Sequence, residues 1–240
     1  MNGAAVVIGA GDATGGAVAA AFARDGLVAV PVRRTGDGLA PLAARIEDEG
    51  GRCLPIGAEA RDEDAMIGLF DRVEREIGPV EVLVFNIGAN SPMGILDETV
   101  RRYRKIWEMC ALAGFITARE AARRMVPRGR GTIIFTGATA SMRGSAGFAG
   151  FSGGKFALRS LAQAMARELG PKGIHVVHPI IDGAIDTEFI RSNFPDRYAL
   201  KSEDGILDPE AIAAEYVQLH HQPRSAWTHE LDLRPWIERW

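Results

Sequence analysis

Gly9-Ala10-Gly11-Asp12-Ala13-Thr14-Gly15-Gly16 decides how this chain is read. Before it stands Ala4-Ala5-Val6-Val7-Ile8, a short continuous apolar run, and after it an Ala-rich segment from Thr14 to Arg24. That order is strand, tight glycine loop, helix. Glycines let such a loop approach a pyrophosphate closely, while the following helix N-terminus supplies N–H groups and a partial positive charge. The spacing is not the strict G-x-G-x-x-G, and a glycine loop by itself is also compatible with a structural turn. Its place at the first strand-to-helix junction is what points to a dinucleotide.

The same alternation continues outward. Leu27 to Val32 reads as a buried strand, Leu39 to Glu49 as a helix, Arg52 to Ile56 as a weaker strand, and Glu63 to Ile77 as an amphipathic helix. Val80 to Phe85 is a strand ending at Asn86; Val100 to Met125 is a long helix; Gly131 to Thr136 is a strand. Lys155 to Leu169 is a second long helix, stopped by Gly170-Pro171, and Ile174 to Ile181 is the sixth strand. Apolar strands alternating with helices predict a parallel sheet covered on both faces. Right-handed crossovers then give a doubly wound α/β fold of Rossmann type, with its site at the carboxyl ends of the strands.

With 240 residues, 47% of them apolar, the chain can bury a sizeable core, and no linker or charge block divides it. One domain over residues 1–240 is expected. The net charge of −3, with both signs interspersed, gives no electrostatic footprint for nucleic acid or an anionic membrane. Cys53 and Cys110 form neither a disulfide framework nor a metal pattern, which suits a reducing compartment. No apolar run approaches the roughly 18 residues of a membrane span, so a soluble cytoplasmic protein is expected.

At this point the chain resembles the short-chain dehydrogenase/reductase family. Its loop is similar to that family's T-G-x-x-x-G-x-G, with Ile8 at the Thr position, Gly9 kept, Ala13 at the middle glycine and Gly15 kept. Asn86-Ile87-Gly88-Ala89 resembles the N-A-G segment after the fourth strand, and Glu59-Ala60 lies where an Asp usually meets the adenine edge. Ile185-Asp186-Thr187 resembles the I-x-T element that meets the nicotinamide carboxamide. Lys155, one of four lysines in the chain, falls at the family's lysine. The resemblance thus implies a nicotinamide cofactor held by Gly9, Asp12, Ala13, Thr14, Gly15, Arg33, Arg34, Glu59, Ala60, Asn86, Gly88, Lys155, Ile185 and Thr187. Arg33 or Arg34, at the end of the second strand where NAD-specific members carry an Asp, favours NADP by pairing with a 2′-phosphate. Asp12 argues for NAD, because NADP-using members often carry a basic residue there, and the arginines are also compatible with a solvated loop.

The chemistry of the family rests on a Tyr that exchanges the substrate proton, a Lys four residues on, a Ser at the substrate oxygen and an Asn in a proton relay. Those positions are Phe151, Lys155, Ala138 and Cys110 here, with Ala111 as the alternative for the last. Phe has no titratable group and Ala donates no hydrogen bond. Losing a positioned general acid typically costs about 10²–10⁴ in rate. Asp182, where the family has the Pro of a P-G turn, is the candidate displaced acid or base, or else a turn-stabilising carboxylate. His178 reads rather as a hydrogen-bonded core histidine. No metal site is expected.

Two function classes follow from these residues. One is an NADP-dependent oxidoreductase on a small carbonyl or alcohol substrate with an atypical site; the other is a silent nucleotide-binding sensor or partner subunit. The segment Asp186 to Leu207 looks like a lid over the substrate site. The C-terminal stretch, with Trp227, Trp236 and Trp240, reads as a packed edge strand and subunit interface or as a pocket wall. Family habit and the Ala-rich second long helix imply a homo-dimer or homo-tetramer.

Overall fold

In the computed structural model, which describes residues 3–238, the opening apolar run forms β1 (Ala4–Ile8) and the Ala-rich segment α1 (Thr14–Arg24). There follow β2 (Val28–Arg33), α2 (Ala40–Asp48), the two short strands β3 (Arg52–Cys53) and β4 (Ile56–Gly57), α3 (Glu63–Glu76) and β5 (Val80–Phe85). The second half runs α4 (Val100–Trp107), α5 (Ala113–Met125), β6 (Gly131–Phe135), β7 (Gly137–Ala138), α6 (Ala149–Leu169) and β8 (Ile174–Ile181). It closes with α7 (Glu188–Asn193), α8 (Pro195–Ala199), α9 (Pro209–His220) and β9 (Glu230–Leu233).

All strand pairings are parallel, in the order β3-β2-β1-β5-β6-β8, with β4 also on β2, and with β7 and β9 both on β8. The order reverses between β1 and β5, which is where a doubly wound sheet opens a crevice at its carboxyl edge. Because side chains alternate across a strand, β1 splits its residues between two cores. Ala4, Val6 and Ile8 pack with Phe70 of α3, Ile116 of α5 and Leu158 of α6, while Ala5 and Val7 pack with Phe22 of α1 and Tyr216 of α9. Among the described residues no helix is long and apolar enough to cross a membrane.

Three expectations are corrected. The helix carrying Lys155 begins at Ala149, not Lys155, and runs through Gly153-Gly154. Those glycines are there for contact: a Cβ on Gly154 would lie 2.8 Å from Cys110 Cβ, and one on Gly153 2.7 Å from Tyr103 Oη. The long helix over 100–125 is interrupted by a π turn, Glu108–Leu112. The weak third strand is two fragments. The C-terminal stretch does contain an edge strand, with His178, Pro179, Ile180 and Ile181 opposite Glu230, Leu231, Asp232 and Leu233; Trp240 lies outside the described residues.

Candidate active site

The glycine loop is tied down from both sides. Gly9 and Ala10 N–H groups both donate to Val32 O at the end of β2, and Asn86 donates from its backbone to Ile8 O and from Nδ2 to Gly9 O at 3.2 Å. Gly9 sits at φ 90°, where a side chain would be strained. A Cβ on Gly15 would lie 2.4 Å from Gly9 O and 2.8 Å from Ala10 Cα, so the loop closes only around glycine. Ala13 offers no side-chain cap to α1, and its first turn holds no acidic residue. The leading N–H groups of α1 are therefore left without a side-chain acceptor at this end. Asp12 is exposed at the tip, Thr14 is buried, and Gly11 is open enough that a Cβ there would meet nothing.

At the end of β2 the two arginines part company. Arg33 reaches Gly38 O at 3.3 Å, while Arg34 is exposed and makes no hydrogen bond among the described residues. Glu59 is clasped by Arg61 through Nε at 3.0 Å and Nη2 at 2.8 Å. Those bonds, helped by the field of Arg34, hold its carboxyl at about 2. Ala60 beside it is buried.

Lys155 is buried, at 3% exposure, and its ammonium donates to Thr136 O at 2.8 Å and Ile87 O at 3.1 Å. These carbonyls close the carboxyl ends of β6 and β5. Burial lowers the lysine's pKa, and the same burial raises that of Cys110, against the opposing pull of Lys155 and a hydrogen bond to the Ala89 backbone. Cys110, in the π turn, is the residue that meets Gly154. Lys155 Nζ lies 5.9 Å from the centroid of the Phe151 ring. Phe151 shares a buried cluster with Cys110, Ile106 and Ala140, against which Ala138, Ala89 and Phe148 pack, and its ring edge faces Gly88. The wall beside the lysine is thus apolar. Thr136 Oγ1, in turn, accepts from the buried Tyr216 hydroxyl at 2.9 Å.

Asp182 is 5% exposed and its carboxylate is already engaged. Thr139 donates to it, Arg143 stands 3.7 Å away and Arg234 4.0 Å away. The carboxylate therefore anchors a polar knot on the edge of the site. Ser141 accepts a hydrogen bond from Ala138 N at 3.1 Å. Ser152 is buried on α6 and its hydroxyl finds no partner among the described atoms. His178 is wholly buried; its Nδ1 meets Glu230 Oε1 at 3.2 Å, and Arg159 holds the same carboxylate at 2.7 and 2.9 Å. Burial outweighs the carboxylate and drives the His178 pKa down to about 4, so the imidazole is neutral.

Ile185 forms a parallel bridge with Leu207, and Thr187 spends its hydroxyl capping α7, accepting from Ile190 N at 3.1 Å. The bridge pins the two ends of the 186–207 segment together, with Asp186 N donating to Leu207 O. Phe189 and Phe194 lie on its surface, edge to face at 5.9 Å. The C-terminal residues buttress it: Trp236 Nε1 donates to Glu203 O at 2.9 Å. A cleft of about 330 Å³ opens between Ala184, Arg197, Leu200, Ile206 and Ile237. Sequence reading missed Thr136 and Ile87 as holders of Lys155, because main-chain acceptors carry no residue signature, and it missed Arg143. Arg143 had a signal: it is the only charged residue between Arg130 and Lys155.

Parallel sheet, reversed strand order and a glycine loop closing on an uncapped helix define a Rossmann-type α/β protein. The chain belongs to the short-chain dehydrogenase family: that family's model, described as short chain dehydrogenase, matches residues 3–197. It is similar to cis-4-hydroxycyclohexanecarboxylate dehydrogenase of Sinomonas cyclohexanicum, 29% identical over 187 residues, which are 78% of this chain and 74% of that one. Among solved structures, a short-chain dehydrogenase from Rhodopseudomonas palustris is 44% identical with a TM-score of 0.85, covering 98% of this chain and 100% of its own. An alcohol dehydrogenase from the archaeon Thermococcus sibiricus, complexed with 5-hydroxy-NADP, shares the fold at 24% identity and a TM-score of 0.87, covering 100% of this chain and 99% of its own.

Proposed function

We propose that the chain is an oxidoreductase that binds a nicotinamide dinucleotide, NADP in preference to NAD, and acts on a small carbonyl or alcohol substrate. The observation that carries this reading is Lys155, a buried ammonium fixed by Thr136 O and Ile87 O at the carboxyl edge of the sheet, beside a glycine loop that admits no Cβ at Gly15. The fit to a dinucleotide is supported by the loop itself, since Gly9, Ala13, Thr14 and Gly15 shape an anion cradle at the α1 N-terminus. In this reading Arg34, rather than Arg33, meets a 2′-phosphate, a choice supported by Arg33 being turned to Gly38 O. Solved members of this fold carry NADP or a derivative of it.

The cofactor, when bound, supplies or accepts the hydride. The protein's own part is to position and to hold charge. Lys155 keeps two carbonyl partners and one donor for a ribose hydroxyl or a water. Asn86 fixes the loop, Gly88 leaves room above the Phe151 ring, and Ile185 and Thr187 shape the base of the 186–207 lid. Phe151 and Ala138 offer no proton, so a water on Lys155 is the donor this reading requires. Asp182 serves in this reading as the anchor of Thr139 and Arg143 rather than as that acid, since its carboxylate is already engaged by Thr139 and flanked by two guanidinium groups. The same apolar wall favours a second reading, a nucleotide-binding subunit without turnover.

Fluorescence titration with NADPH and NADH, followed by a carbonyl panel, tests this. Nucleotide binding with turnover in the wild type is expected, rising about 10²–10⁴-fold in Phe151→Tyr/Ala138→Ser. Binding with turnover only in the double variant selects the silent reading, and no binding of either nucleotide ends both. A homo-oligomer completes the proposal, supported by exposed Tyr103 and Trp107 on α4, Phe115 on α5 and Phe156 on α6. Unbridged Cys53 and Cys110 suit the cytoplasm.

A further inference from the structure

Arg143 follows the turn that begins at Ala138, and its backbone N–H donates to Thr139 O at 3.1 Å, which fixes the loop. Its guanidinium is 44% exposed and makes no hydrogen bond among the described residues. Its single ion pair, to Asp182 Oδ1 at 3.7 Å, is longer than a hydrogen bond. Asp182 lies behind it, 6% exposed at the side chain, accepting from Thr139 and with Arg234 4.0 Å from its other oxygen. A carboxylate arriving from solvent would therefore meet the free donors of Arg143 before it meets the charge of Asp182. The neighbouring wall of Ala138, Phe148 and Phe151 has no hydrogen-bonding side chain.

We infer that Arg143 selects substrates bearing a carboxylate, so that the substrate class is a small keto or hydroxy acid. This rests on the oxidoreductase reading of the same site. The planar fork of a guanidinium matches a carboxylate through two parallel bonds, which gives orientation as well as affinity. On an apolar wall that orients nothing, one cation is enough to set which end of a substrate points away from the lysine. Asp182 is then a positioning residue, holding the guanidinium from behind and leaving its outer edge free.

The test is calorimetric binding of two matched pairs, 4-oxocyclohexanecarboxylate and levulinate, each against its methyl ester. Wild type, Arg143→Gln and Arg143→Lys are titrated with and without saturating NADP⁺, with which a ketone forms no product. The wild type should bind at least one acid about tenfold to a hundredfold more tightly than its ester, as hydrogen bonds to a charged group allow. Arg143→Gln should bring that ratio to about one, and Arg143→Lys should keep part of it, having the charge without the fork. Equal binding of acid and ester by the wild type, an unchanged ratio in Arg143→Gln, or no binding of either acid overturns the inference. Titration of the same samples with NADPH separates it from the parent reading. Nucleotide binding without acid selectivity removes only the carboxylate site, whereas acid selectivity without nucleotide binding removes only the oxidoreductase.

Discussion

A single methyl group at Gly15 would collide with backbone on two sides, Gly9 O and Ala10 Cα, neither of which can rotate away. Gly15→Ala should therefore cost about 1–3 kcal/mol of stability, as overpacking does, and weaken nucleotide binding more than proportionally because the loop must open. Urea unfolding and NADPH titration on one preparation check both halves. At this scale the sequence was most informative where a side chain is defined by its absence. Gly9, Gly15, Phe151 and Lys155 were placed by resemblance to the family's glycine loop and Tyr-x-x-x-Lys motif, each of which spans only a short stretch of chain. The contact of Arg143 with Asp182 had no such motif to reveal it, because it forms only through the closing of the sheet. The even choice left open for Asp182, between turn-stabilising carboxylate and acid, turned on the same long-range contact.

Between elements, Glu230 is the common tie of α6, β8 and β9, through Arg159, His178 and its own strand. Both ion-pair partners are about three-quarters buried, at 25% and 24% exposure, so the pair is shielded more than a surface bridge. Glu230→Ala leaves a buried donor on His178 and a guanidinium without its acceptor. A loss of about 1–3 kcal/mol is expected in denaturant unfolding, with Glu230→Gln recovering part of it. The edge strand and a hydrogen-bonded His178 were legible beforehand, but the tie through Glu230 was not. His178 reads as a core histidine from its strand, but which residue it meets is set by the parallel register of two strands some fifty residues apart in the chain. Likewise the start of α6 was set too late because Gly153-Gly154 look like a loop, and only the packing of Cys110 and Tyr103 shows why a helix keeps them.

For the molecule as a whole, buried histidines set the response to acid. His178 titrates near 4 when folded and near the ordinary 6.5 when unfolded, so the unfolded chain binds more protons between those values. Its contribution is complete above about pH 6.5 and is lost as pH falls through about 4, a change of about 3 kcal/mol at most. His175 and His220 are lowered by burial too and act in the same direction. The denaturation midpoint should fall between pH 7 and pH 4, and fall less in His178→Gln; a flat profile in the wild type would contradict this. Assembly belongs to this scale as well. Trp107→Glu should lower the sedimenting mass if the α4–α6 surface joins copies of the chain, and an unchanged oligomer would place the interface elsewhere. The overall architecture was readable from alternating apolar runs because a parallel sheet buries both faces of every strand, whereas subunit contacts leave no comparable period.

The Glu108–Leu112 turn gives the helix from Val100 to Met125 one place where its length can change. A π turn is an α-helix carrying one amino acid more than its ladder requires. Deleting one, such as Ala111, would let the ladder close as a plain α-helix with the segments on either side nearly in phase, because the wide turn holds its surplus residue within itself. A deletion in a regular turn, such as Arg104, would instead swing everything before it by about 100° relative to everything after. Among chains with single-residue deletions, those shortened in the π turn should still fold, with the contact of Cys110 and Gly154 disturbed, and those shortened within α4 should lose far more stability. The surplus residue is thus a local bulge that sets what lies beside Lys155 and leaves the two halves of the helix in register.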